Sequence, residues 1–214
     1  MGRETLQEAI LFFSNPDNCR EYWVAHRWPN GVACPHCGNT KASYMEKYNL
    51  WQCGRNHALR QFTAKTGTIF EDSPLGLDKW LMALWLVVNC QNGLSSYELH
   101  GLIGVAGSTA WGMDHRIRLA LGMSSEENLP SHISKRTELS SAAKARSINI
   151  DQRERRIRGG MKLQPAPQIP GNTSGERLSN ALSMVLTVSK VQLLRQEATE
   201  ERARSRKKRA KKST

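Results

Sequence analysis

The run Cys34-Pro35-His36-Cys37-Gly38, followed after a gap of fifteen residues by Cys53 and after three more by His57, constrains this chain more tightly than any other feature. Proline fixes one φ in a Cys-Pro-x-Cys-Gly knuckle and glycine relieves the next, so two thiolates and several backbone N–H groups converge on one point. That is half of a tetrahedron. Cys53 stands at the usual return distance of a zinc ribbon, and His57 completes a Cys₃His set. The gap between Cys53 and His57 is longer than the commoner two residues, which leaves Asn56 and His36 as the other polar neighbours of the fourth position. A disulfide reading of these cysteines needs an oxidising compartment, and the opening Met1-Gly2-Arg3-Glu4 leads into no apolar signal segment. The spacing predicts structural Zn²⁺ held by Cys34, Cys37, Cys53 and His57 in a reducing cytoplasm, with Cys19 and Cys90 as buried thiols.

Around this site the pattern predicts a small α+β fold in four parts. Over residues 5–27, Leu6, Ala9, Ile10, Phe12 and Phe13 mark a short helix that Asn15-Pro16 interrupts. A second helix, capped by Asp17, carries Cys19, Tyr22, Trp23 and His26 until Pro29 stops it. Over 28–73 the ribbon is expected to hold strands at Ser43–Met45, Asn49–Gln52 and Arg60–Thr63 and a further turn and strand at Thr66–Phe70. Its aromatics are expected on the exposed face, with zinc standing in for a core. Over 77–122 three helices follow. The first is capped by Asp78, faces inward through Leu81, Leu84, Trp85 and Val88, and ends at Asn92-Gly93. The second starts at the Ser95–Glu98 capping box and ends at the Gly104-Val105 turn. The third begins near Ser108, with Ala110, Trp111, Met113, Ile117 and Leu121 inward and Arg116 and Arg118 outward. Helix, short glycine turn, helix is the helix-turn-helix arrangement, with an ordinary three-helix bundle as the alternative.

Charge divides the chain unevenly. Residues 1–122 carry 11 Lys and Arg against 10 acids, whereas residues 123–214 carry 20 against 9. The fourth part, 123–214, is therefore expected to be a basic, largely disordered or helical tail, with disorder to about residue 174 and one helix from Gly175 through Leu178, Leu182, Val185 and Leu186. Its Arg/Lys-rich end has three readings: a phosphate clamp, an anionic membrane surface contact, or a solvated face. No apolar run is long enough to span a membrane.

Taken together, Trp28-Pro29-Asn30-Gly31, Cys34-Pro35-His36-Cys37-Gly38, Arg60-Gln61-Phe62, Gly67-Thr68-Ile69-Phe70-Glu71-Asp72-Ser73, Ser95-Ser96-Tyr97-Glu98-Leu99, Gly104-Val105, Thr109-Ala110-Trp111 and His115-Arg116-Ile117-Arg118 resemble the amino-terminal region of transposases of the IS1595, ISXO2-like group of bacterial insertion sequences. The resemblance covers roughly residues 5–122. It implies that the zinc ribbon and the helix-turn-helix bind the terminal inverted repeats of the element as double-stranded DNA, in a cytoplasmic, nucleoid-associated protein that is a monomer or a homodimer. Ser108, Thr109, Arg116 and Arg118 of the third helix are the expected DNA contacts.

In that group an RNase H-like domain follows, whose acidic residues bind two Mg²⁺ ions. Its first motif is of the Val-Asp-Glu-Thr type followed by Ile-Gly-Gly, and this chain reads Leu129-Pro130-Ser131-His132-Ile133-Ser134-Lys135-Arg136-Thr137-Glu138-Leu139-Ser140-Ser141-Ala142-Ala143 instead. Two-metal phosphoryl transfer needs converging carboxylates, and after Glu138 the acids Asp151, Glu154, Glu176, Glu197, Glu200 and Glu201 are scattered among arginines. No catalytic residue is assigned, and Mg²⁺ would be required only with an active catalytic domain. A transposase-related DNA-binding remnant, truncated or frameshifted, is the expectation. Its alternatives are an active transposase with an unrecognised carboxylate set and a zinc ribbon that makes only protein contacts.

Overall fold

The computed structural model describes residues 4–122 and 164–210. The segment 123–163, with Asp151 and most of the expected disorder, lies outside the described residues; residues 164–173, also expected to be disordered, are instead tied to the core, with Gln164 bridged to Leu94 and Ile169 buried.

Helix α1 (Leu6–Phe13) is closed by a capping box between Thr5 and Glu8. Helix α2 (Pro16–Arg27) starts one residue earlier than its expected Asp17 cap. Pro16 presets φ for the first helical position and forces Asn15 to be extended, so Asn15 Oδ1 caps, accepting from Asp17 N at 2.9 Å. Asp17 pairs instead with Arg20 at 2.7 Å.

Strands β1 (Ala42–Met45), β2 (Leu50–Cys53) and β3 (Gln61–Phe62) form an antiparallel sheet in that order. Pairing sets Tyr44, Trp51 and Phe62 in one cross-strand row and Ser43, Gln52 and Gln61 in the next. The aromatic row faces inward rather than outward as expected. Trp51 and Phe62 are buried, and both rings pack edge-on against Trp28, at 5.8 and 6.1 Å. Thr66–Phe70 forms no strand. Thr66, Thr68, Glu71 and Ser73 each donate to the carbonyl three residues back, and Gly67 sits at φ +82°, so successive turns satisfy the backbone locally.

Helix α3 (Leu77–Asn89) is capped by Gly76 with no side-chain hydrogen bond, so Asp78 does not cap. It ends where Cys90 turns extended, short of Asn92. The expected single apolar face is also too narrow, because Trp80, Leu81, Ala83, Leu84, Trp85, Leu86, Val87 and Val88 are all buried. A helix apolar on all sides must be surrounded. Helices α1, α2, α4 (Ser96–Ile103), α5 (Gly107–Ala120) and α6 (Ser174–Thr187) all pack on it. The Ser95–Glu98 box opens α4 as expected, and Gly104, at φ 69° and ψ 45°, ends it three residues before α5.

The tail contributes more than its composition suggests. Helix α6 buries Leu178, Ala181, Leu182 and Val185 completely, and α7 (Lys190–Ala210) follows as a separate helix. Tyr22 and Ser179 hydroxyls bond at 2.9 Å, and Arg177 Nε donates to Asn89 Oδ1 at 2.9 Å. One apolar cluster runs from Ala9 to Leu193 and includes Cys34, Trp51, Cys53 and Phe62, so the ribbon shares a core and zinc does not replace one. Among the described residues no helix is long and apolar enough to cross a membrane.

Truncating Leu182 to Ala removes a fully buried side chain between α6 and α3 and is expected to lower the unfolding free energy by about 2–5 kcal/mol in a urea titration. Leu194→Ala, at a half-exposed position, should stay within about 0.5 kcal/mol. Equal, small effects at both positions would show that α6 is not part of the core.

Candidate metal centre

Two backbone knuckles bring the ligands together. In the first, Cys34 N donates to Asn39 O at 2.9 Å and Gly38 N returns to Cys34 O at 2.8 Å, folding the Cys-Pro-His-Cys-Gly run on itself. In the second, Cys53 N donates to Arg60 O and Gly54 N to Lys41 O, at 2.8 and 2.7 Å. Gly54 is required by this approach, because a Cβ there would meet Lys41 O at 2.9 Å.

The ligand atoms of Cys34, Cys37, Cys53 and His57 all lie within 4.8 Å of one another. Cys37 Sγ is 3.5 Å from Cys53 Sγ, and His57 Nε2 is 3.6 Å from the sulfurs of both Cys34 and Cys37. Zinc–sulfur bonds of about 2.3 Å and zinc–nitrogen bonds of about 2.0 Å make tetrahedral edges of roughly 3.5–3.8 Å, so this set fits Zn²⁺. His36 and Asn56, the other candidates for the fourth position, are exposed and outside the cluster.

The surroundings favour anionic sulfur. Burial raises the Cys53 thiol, but the Arg55 N–H, His57, the Asn39 amide and Cys37 outweigh it and hold it at about 6. Cys53 Sγ accepts from Arg55 N at 3.4 Å and from Asn39 Nδ2 at 3.7 Å. Cys37 moves upward: an Asn39 backbone bond lowers it, while burial and the neighbouring Cys53 and Cys34 prevail. Adjacent sulfurs thus share protons that a divalent cation would displace. Four protein ligands close the coordination shell and leave no position for water or phosphate, which makes the zinc structural. Cys19 is unsuited to this chemistry, since burial, with Asp78 beside it, pushes its thiol up to about 12.

The ribbon is anchored by groups that spacing did not reveal. Arg27 donates to the carbonyls of Ala64 and Thr66 and lies 4.3 Å over the Trp28 ring. Burial, opposed by Glu71, lowers its guanidinium to about 10. Trp23 Nε1 donates to Ala64 O at 2.9 Å, and Phe70 packs edge-on against both Trp23 and Trp80. The only signal for these roles in the sequence was the aromatic content of α2.

The expected DNA contacts are not all on one surface. Ser108 is exposed and Thr109 half-buried in the first turn of α5, and Arg116 is half-exposed. Arg118 points inward, contrary to expectation, and is 3% exposed. It binds Asp114 Oδ1 at 2.7 Å, Pro165 O at 2.6 Å and Leu94 O at 3.4 Å. Trp111, expected inside, is 53% exposed and stacks on His115, which bonds Glu200 of α7 at 3.1 Å.

Native mass spectrometry should find one zinc per chain. His57→Ala should lose zinc to a chelator faster than the unaltered chain, while His36→Ala and Asn56→Ala should retain it equally well. Retention in the His57 variant would remove His57 from the ligand set.

Residues 14–55 match the family model described as the transposase zinc-ribbon domain, so Cys34, Cys37 and Cys53 lie within the match and His57 just beyond it. A relative from Halobacterium salinarum, described as an uncharacterized protein in transposable element ISH50, is 29% identical over 99 residues, which cover 44% of this chain and 32% of the relative. The chain therefore spans about a third of that relative's length. No solved structure matches. Motif, geometry and family model agree that this chain carries a transposase zinc-ribbon domain, in which the Cys34, Cys37, Cys53 and His57 cluster fits structural Zn²⁺.

Proposed function

We propose that this chain is a transposase-related DNA-binding protein that recognises the terminal inverted repeats of an insertion element and does not itself cut or join DNA. The observation that carries the reading is a transposase zinc ribbon sharing one core with a capped helix, a three-residue glycine turn and a second helix. Helices α4 and α5 have the connection length of a helix-turn-helix, whose later helix enters the major groove with its first residues at the base edges. Ser108 and Thr109 hold that place in α5, and Arg116 lies two turns on, where it reaches a phosphate or a guanine edge. Arg118 leaves the contact set and becomes a structural residue.

Absence of catalysis in this reading rests on chemistry. Among the described residues the cluster of potential metal ligands is the Cys/His set, whose shell zinc closes. The chain also lacks the Val-Asp-Glu-Thr type motif where the related transposases have theirs. The basic end, Arg202 to Lys212, adds phosphate affinity without reading sequence.

Gel-shift titrations against the repeats flanking the gene and against an unrelated duplex test the reading. Arg116→Ala should weaken binding to the repeat and leave the unfolding midpoint unchanged. Arg118→Ala should instead destabilise the fold by about 3–5 kcal/mol, because it strands the buried Asp114 carboxylate. Removing residues 201–214 should flatten the salt dependence and keep the preference for the repeat. Equal affinity of the unaltered chain for both duplexes would refute sequence recognition.

With Mg²⁺ or Mn²⁺, the chain should leave a labelled repeat duplex uncut. Cleavage at the repeat end that disappears in Asp151→Asn would establish an active transposase instead.

A further inference from the structure

Helix α7 is fixed at its foot. Lys190 pairs with Glu71 and Asp72, Ser189 bridges to Thr68, and Leu193 is buried. Beyond Leu193 the described side chains of α7 are exposed, except Glu197 and Glu200, which are half-buried. These two follow Leu193 at four and seven residues, so one stripe of the helix, apolar at the foot and acidic above it, is the covered one. Its upper end lies on α5: Glu200 meets His115 at 3.1 Å, and both side chains are less than a fifth exposed.

The place of that contact is what gives it a consequence. Ser108, Trp111 and His115 recur at three and four residues, so they share a stripe of α5 that starts at a proposed base contact and runs beside Arg116. Ser108 and Trp111 are exposed, and the Trp111 ring stacks on His115 at 5.3 Å, whereas His115 is covered by the Glu200 carboxylate. Glu197, Glu200 and Glu201 are also the last acids of the chain, and from Arg202 to Lys212 eight of eleven residues are Lys or Arg. A duplex approaching this stripe meets a carboxylate where its phosphate oxygens need a donor, while the end of the same helix attracts it.

We propose that α7 is an autoinhibitory strap on α5, in which Glu200 occupies the His115 ring edge and keeps DNA phosphates from that stripe. The inference rests on the DNA-binding reading above and adds to it the regulation of the same site. With the strap seated the chain binds duplex weakly. The binding form is the one in which α7 beyond Leu193 has left α5, and apparent affinity is reduced by the fraction of chains that have done so. The basic end favours release when a duplex is present, because it then finds phosphates.

The test uses the full-length, zinc-loaded chain with Glu200→Gln, Glu200→Asp and Glu201→Gln. The first removes the carboxylate from His115, the second keeps the charge and draws it back by one methylene, and the third makes the same charge change at an exposed neighbour. Gel shifts at one fixed salt concentration measure affinity for the repeat and for an unrelated duplex. Both Glu200 variants should bind both duplexes more tightly by about fivefold or more, the lower range of coupling between linked states. Glu201→Gln should gain less than about twofold. Amide hydrogen exchange across residues 197–203 of the free chain should quicken in both Glu200 variants and not in Glu201→Gln. An equal gain in Glu201→Gln would reduce the effect to bulk charge and overturn the strap. Unchanged or weaker binding, or unchanged exchange, in the Glu200 variants of a chain that binds DNA would overturn it too, with the DNA-binding reading left standing. If the unaltered chain and all three variants bind neither duplex, that reading falls and this inference with it.

Discussion

A helix whose eight buried apolar side chains point in every direction, as those of α3 do, can leave no face in water, and the remaining elements are arranged to meet that demand. Helices α1 and α2 cover it from the amino-terminal side, α4 and α5 follow it in sequence, and α6 returns from beyond residue 163 to close it. Phe70, fully buried between Trp23 and Trp80, ties the ribbon's exit to the same centre. The zinc site thus hangs from a packed helical body instead of standing alone.

This changes what the metal is required to do. In an isolated ribbon the binding free energy of zinc supplies nearly all of the folding free energy. Here Trp51 and Phe62 already bury their rings against Trp28, and Arg27 and Trp23 hold the Ala64 carbonyl to α2. Zinc would fix the two knuckles relative to each other within a ribbon that the helical core already holds.

Some local signals in the sequence were read well, others, such as the caps assigned to Asp17 and Asp78, were not, and long-range ones were read poorly. Ligand spacing around Cys34 and Cys53, the Ser95–Glu98 box and the Gly104 turn are decided within a few residues, and all appear as expected. The facing of α5 is decided by distant chain. Arg118 turns inward because the carbonyl of Pro165, 47 residues on, and that of Leu94 accept from it while Asp114 balances its charge. Helical period alone offered either of two adjacent stripes. The helix through Leu178, Leu182 and Val185 was expected from spacing, but the strongly basic average of its segment gave no sign that it packs into the core. Trp51 was misplaced because strand alternation separates two faces without saying which one is covered.

The proposed recognition of a terminal repeat assigns the reading of sequence to α5, held on the same core as the ribbon. Hydroxyl-radical footprinting of the zinc-loaded chain on a duplex bearing the element's terminal repeat tests that claim directly. Protection confined to the repeat and lost in the Arg116→Ala chain is the expected result. Protection that is uniform along the duplex and indifferent to the repeat would contradict the account.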